Sequence, residues 1–147
     1  MGFYKTIVPS FAVLVLFFSV AASGSASERT TRITHADAAV IIAKYSGLFD
    51  RYVPADADLN YCVSFLNEYG IYFGLMEVVN GKEFMISDCA RAMGQAELVL
   101  SGEAEYVLGK VRLPKDVASW EDFCIMQGVQ YREGYQMMVH AMQMAAR

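Results

Sequence analysis

The sequence predicts a mainly α fold of about five helices carrying one or two short β-hairpins. Apolar residues recur at i, i+3, i+4 and i+7 over long stretches, the spacing of helices with one buried face. Glycines stand where those stretches stop, at Gly70, Gly102 and Gly128, and glycine takes the left-handed C-cap conformation without a Cβ penalty. The third observation is Asn80-Gly81 between two β-leaning runs, LMEVV and KEFMI, which predicts a two-residue hairpin.

In chain order, Met1 to Ala26 has the three parts of a secretory signal peptide: Lys5, an apolar run from Phe11 to Ala22, and small residues at its end. That run is shorter than the ~20 residues a spanning helix needs, so cleavage after Ala22 or Ala26 is expected, and no stable membrane span afterwards. Residues 27–32 read as a disordered linker, and 33–147 as one helical domain. The cysteines Cys62, Cys89 and Cys124 would then enter an oxidising compartment. One disulfide among them, or burial of all three as small hydrophobes on apolar helix faces, are the two readings.

Thr34 with Asp37 three residues on forms a capping box that opens the first helix, whose stripe takes in Ala36, Ala39, Val40 and Ala43, with Ile42, Tyr45 and Phe49 on its flank. The second helix, Leu59 to Tyr69, carries Leu59, Cys62, Val63 and Leu66, and Gly70 stops it. A third runs from about Ser87 to Leu100 with Cys89, Ala92, Met93 and Ala96 on one side. Glu105 to Leu113, turning at Gly109-Lys110, is a fainter hairpin signal. After Pro114, Ser119 with Asp122 repeats the capping box, Trp120, Phe123 and Cys124 face inward, and the last helix runs from about Arg132 to Ala146.

Charge and composition narrow the function. The chain has 12 basic and 16 acidic residues, and without Lys5 the balance is 11 against 16, a net of −5. Nucleic acid is therefore not expected as a partner, because counterion release needs a basic stripe and positive charge is scattered along this sequence. His35 and His140 are the only histidines, with no metal-ligand spacing around them, so no metal and no cofactor is expected. His35 reads as a solvated first-turn residue and His140 as a helix-flank position. No nucleophile has a local signature beside a base, so no catalytic residue is assigned and no enzyme is expected. Nine methionines and nineteen aromatics (nine Phe, nine Tyr, one Trp) can fill a core and still leave apolar surface for a partner. Tyr72 and Phe73, beside the Asn80-Gly81 hairpin, are the candidate residues of such a surface.

Cys62–Phe73 overlays Trp120–Tyr131, pairing Phe65 with Phe123, Gly70 with Gly128 and Ile71 with Val129, and Ile33–Gly47 overlays Ile86–Gly102. Two helix types thus alternate with a period of about 55 residues. ITHADAAVIIAKYSGLF, VPADADLNYCVSFLNEYGIYFG, NGKEF, ISDCARAMGQAELVLSG and KDVASWEDFCIMQGV resemble S-layer homology repeats over nearly all of 33–135. The resemblance implies a cell-envelope module binding wall polysaccharide through the threonine opening, here Thr34, His35 and Asp37, and through Trp120. The arginine of that opening is absent from both copies. VRLPKDVASWEDF is also similar to a stretch of small helical periplasmic immunity proteins that block toxic cell-wall hydrolases, with Arg112 in place of their cysteine and Asp116 in place of their glycine. The expected function is an exported, non-enzymatic binding module of the envelope, periplasmic, cell-surface or secreted. Its partner would be envelope polysaccharide or another exported protein, and the alternative is an immunity or inhibitor protein.

Overall fold

The computed structural model describes residues 32–145. The expected signal peptide and linker, apart from Arg32, lie outside the described residues, as do residues 146–147. Within them the protein is mainly helical, with six α-helices and one short antiparallel hairpin. No helix among the described residues is long and apolar enough to cross a membrane.

Helix α1, His35–Val40, starts at the expected capping box: the Asp37 N–H donates to Thr34 Oγ1 at 3.1 Å, and the Thr34 N–H donates to Asp37 Oδ2 at 3.1 Å. It runs straight into a π-helical turn, Ile41–Tyr45. The wider turn breaks the 3.6-residue period, so Ile41, Ile42 and Ala43 are all buried in succession while Tyr45 turns out to solvent. Ser46 closes it by donating from Oγ to the Ile42 carbonyl at 2.6 Å.

Helix α2, Leu59–Glu68, is capped by the Asp58 carboxylate, which accepts from the Tyr61 N–H, and buries Cys62, Val63 and Leu66. Gly70 follows at φ +85°, and the Ile71 N–H returns to the Leu66 carbonyl at 3.0 Å. Helix α5, Trp120–Gln127, ends the same way: Gly128 sits at φ +71° and the Val129 N–H returns to the Cys124 carbonyl at 2.8 Å. The repeated helix–glycine–branched-residue device is thus the same C-terminal stop built twice. Helix α4, Ile86–Ser101, packs against α5, α6 (Tyr131–Ala145) and the hairpin. Its burial extends around most of its circumference, from Cys89 to Leu98 apart from Arg91.

The hairpin expectation is corrected at one place. Leu75–Val79, expected as a strand, forms a short helix, α3, and Asn80-Gly81 is its C-terminal stop, with the Lys82 N–H returning to the Glu77 carbonyl at 3.0 Å. Asn80 keeps a negative φ, so a type I′ turn is not formed. The segment after Gly81 pairs elsewhere: Thr34 and Glu83 form an antiparallel bridge, with the Phe84 N–H on the Ile33 carbonyl at 2.7 Å. The fainter signal is the real hairpin. β1 (Tyr106–Val107) and β2 (Lys110–Val111) are joined by Leu108 and Gly109, both at positive φ, +52° and +78°, as a type I′ turn requires, one residue earlier than expected.

A cleft between helix α4 and the hairpin

Helix α4, the hairpin, the first turn of α5 and the extended Tyr72 segment enclose a cleft of about 410 Å³. Two aromatic side chains, Tyr72 and Trp120, and three cations, Arg91, Lys110 and Arg112, line it. Three of the positive charges that are scattered along the sequence meet here in space. Among the described residues no carboxylate lies within 4.0 Å of any of the three cations; the two contacts of that kind are Arg32–Glu83 and His35–Asp88.

Each wall has a physical origin. Gly70 lets the chain turn off α2 and leaves room for the hairpin, since a Cβ there would stand 2.6 Å from Tyr106 Cε1. Gly94 does the same for the aromatic wall: a Cβ at Gly94 would meet Trp120 Cε3 at 2.6 Å, so the indole packs on the bare backbone of α4. Gln95, buried on α4, fastens three pieces at once. Its Oε1 accepts from the Tyr72 N–H at 3.0 Å and from Arg91 Nη1 at 2.9 Å, and its Nε2 donates to the Val111 carbonyl at 2.9 Å.

Arg91 also donates from Nη1 to the Tyr72 carbonyl at 2.7 Å and lies 5.8 Å from the Tyr72 and Phe73 ring centroids. Burial pulls its pKa down from the ordinary value, and the fields of Asp88, Tyr72, Cys89 and Glu77 oppose that loss. A guanidinium so placed stays charged at neutral pH. Lys110 projects its ammonium over the Tyr72 ring, 3.7 Å from the centroid, a cation–π contact that positions the charge without neutralising it.

The six residues singled out by sequence part company. Tyr72 and Trp120 face each other's elements across the cleft. Thr34 and Asp37 are engaged in their capping box. His35 is a correction: expected in solvent, it is 4% exposed, its Nδ1 lies 2.9 Å from the Lys82 carbonyl, and its ring meets Phe84 edge-on at 5.2 Å. Phe73 is a second correction: expected on an exposed patch, it is 1% exposed and stacked on Phe84 at 5.9 Å, because the hairpin that was to display it is a helix. Arg91, Gln95, Lys110 and Arg112 escaped the sequence reading. The available signal was Arg91 and Gln95 at i and i+4, polar residues beside an apolar helical stripe.

The cysteines are three buried free thiols. Cys89 Sγ lies 3.6 Å from the Tyr131 carbonyl and Cys124 Sγ 3.3 Å from the Ala90 carbonyl. Burial raises all three, Cys124 to about 12, so none is a nucleophile at neutral pH. Among the described residues no group of three or more His, Cys, Asp or Glu is placed to hold a metal ion. The chain matches no family model, no curated protein and no solved structure.

Proposed function

We propose that this protein is an exported, non-catalytic binding module of the cell envelope and that the cleft between α4 and the hairpin is its binding face. The observation that carries this reading is a set of three cations that have no carboxylate partner among the described residues, framed by Tyr72 and Trp120. Cations and aromatic faces hold a ligand, and the two lining groups that could act as base or nucleophile, Lys110 and Tyr72, are set against each other in a cation–π contact. The signal-peptide pattern of Met1 to Ala26 supports export, and the resemblance to S-layer homology repeats supports an envelope location, with Trp120 the one residue that resemblance and cleft share.

A second reading, an immunity or inhibitor protein, draws on a different surface. Leu75, Met76 and Val79 of α3 are 65–70% exposed side by side along one short helix, an apolar ridge suited to a protein partner. Sedimentation with purified envelope separates the two. Under the cleft reading Trp120→Ala and the pair Lys110→Glu with Arg112→Glu remain in the supernatant while the parent sediments, all with the same circular dichroism. Unchanged sedimentation of those variants, together with loss on Leu75→Asp with Val79→Asp, would transfer the function to α3.

A further inference from the structure

We propose that the cleft takes an acidic peptide segment of a partner protein, one in which a carboxylate lies next to an apolar side chain. The inference rests on the cleft being the binding face. Its first support is charge: Arg91, Lys110 and Arg112 converge on one cavity of a chain whose formal net charge is −4, so an anion is drawn to this place against the net charge of the chain. Arg91 is fixed by two hydrogen bonds and two ring contacts, so it meets an incoming carboxylate already oriented.

The rest of the lining decides between a peptide and a sugar. Gln95 is the one amide in the cleft, and both ends of it are spent inside the chain. An uncharged sugar buried there would leave the three positive charges unmatched, a cost that a carboxylate beside an apolar side chain avoids. The remaining wall is aliphatic: Val107, Leu108, Val111 and Leu113. Leu108 is the telling member, 94% exposed at the hairpin tip and held at φ +52°, where a leucine is strained and a glycine or asparagine would be at ease. A strained, fully displayed leucine at the rim of a cationic cleft is placed to meet an apolar group on the ligand.

Trp120 is the chain's single tryptophan and lines the cleft, so its emission reports occupancy. The probes are acetyl-Ala-Leu-Glu-Leu-Ala-amide, the same peptide with Gln for Glu and a free C-terminal carboxylate, the neutral Gln amide, and trigalacturonate. A saturable change in emission with either acidic peptide below about 1 mM, at least about tenfold weaker with the neutral amide, is the expected result. The stronger of the two acidic peptides tells whether a side chain or a chain terminus supplies the carboxylate. Lys110→Gln with Arg112→Gln should weaken the acidic peptide by about tenfold or more with circular dichroism unchanged. Trigalacturonate binding more tightly than both peptides, equal binding of the neutral amide, or no saturable change would each overturn the peptide assignment. Cleft variants that still lose envelope sedimentation in that event would leave the binding face standing.

Discussion

Gln95 Oε1 accepts a hydrogen bond from Arg91 Nη1 at 2.9 Å, one turn apart on α4, and the same oxygen holds the Tyr72 N–H. One buried amide therefore sets the position of a cation, an aromatic wall and, through Nε2, the strand that carries Lys110. Gln95→Ala strands the Tyr72 N–H and the Val111 carbonyl and should lower the unfolding free energy by about 2–4 kcal/mol in urea denaturation. Gln95→Glu keeps both acceptor bonds at Oε1 but sets an oxygen against the Val111 carbonyl, two acceptors face to face, so it should not restore the stability lost in the alanine variant to the parent level. Parent-like stability of either variant would show that the amide acts only as filler.

The twin stops at Gly70 and Gly128 predict unequal costs. Both glycines are left-handed, so alanine at either should cost about 1–2 kcal/mol of backbone strain. A Cβ at Gly128 meets nothing within 4 Å, whereas at Gly70 it would also stand 2.6 Å from Tyr106 and 2.9 Å from Val111. Gly70→Ala should then exceed Gly128→Ala by about 1–3 kcal/mol, read from thermal or urea unfolding.

The thiols give a chemical count. Native protein at pH 8 should leave Ellman's reagent unreacted over minutes, and unfolding in guanidinium should release three thiols, not one. A single reactive thiol after unfolding would mean that two cysteines are bridged.

Glu97 gives a pH signature. It is 5% exposed, its Oε2 has no hydrogen-bond partner, and burial, then the negative charge of Glu103, raises its carboxyl above the ordinary value. The folded state therefore binds this proton more readily than the unfolded one. Its contribution is fully present below the unfolded value of 4.5 and is lost as pH climbs through the raised folded value. Glu97→Gln, which cannot ionise, should thus be the more stable protein at pH 7, with the two curves converging below pH 4.5. Parallel curves across that range would show that Glu97 ionises as easily folded as unfolded.

Helix faces, caps and stops were legible because each is written in a window of four to eight residues. Thr34 with Asp37, Gly70, Gly102 and Gly128 all act locally, and the structure uses each where the residues ask for it, while Ser119 caps α5 through its hydroxyl alone, accepting from the Asp122 N–H. Asn80-Gly81 misled because a hairpin and a helix stop share that dipeptide, and the choice fell to Glu83 and Phe84 pairing with Thr34 and Ile33, some 50 residues away. The same nonlocal bridge buried His35 against Phe84 and took Phe73 inward. The cleft was illegible for a related reason: Tyr72, Arg91, Lys110 and Trp120 come from four separate segments, brought together by nonlocal contacts such as the bonds of Gln95, the Arg91 bond to the Tyr72 carbonyl and the packing of Trp120 on the bare backbone of Gly94.

The scarcity of ion pairs has a practical corollary. Of the two ionic contacts among the described residues, Arg32–Glu83 is largely solvated and His35–Asp88 spans 4.0 Å, so the fold leans on burial and backbone bonds that added electrolyte hardly touches. A ligand held in the cleft as proposed would be held by charge that has no carboxylate partner among the described residues, and its affinity should fall as salt is added. Half-molar sodium chloride, on the order of a 4 Å screening length, should strip the cargo and leave the melting temperature in place. Salt would thus separate the two: a ligand held as proposed comes off while the helices that wall the cleft stay folded.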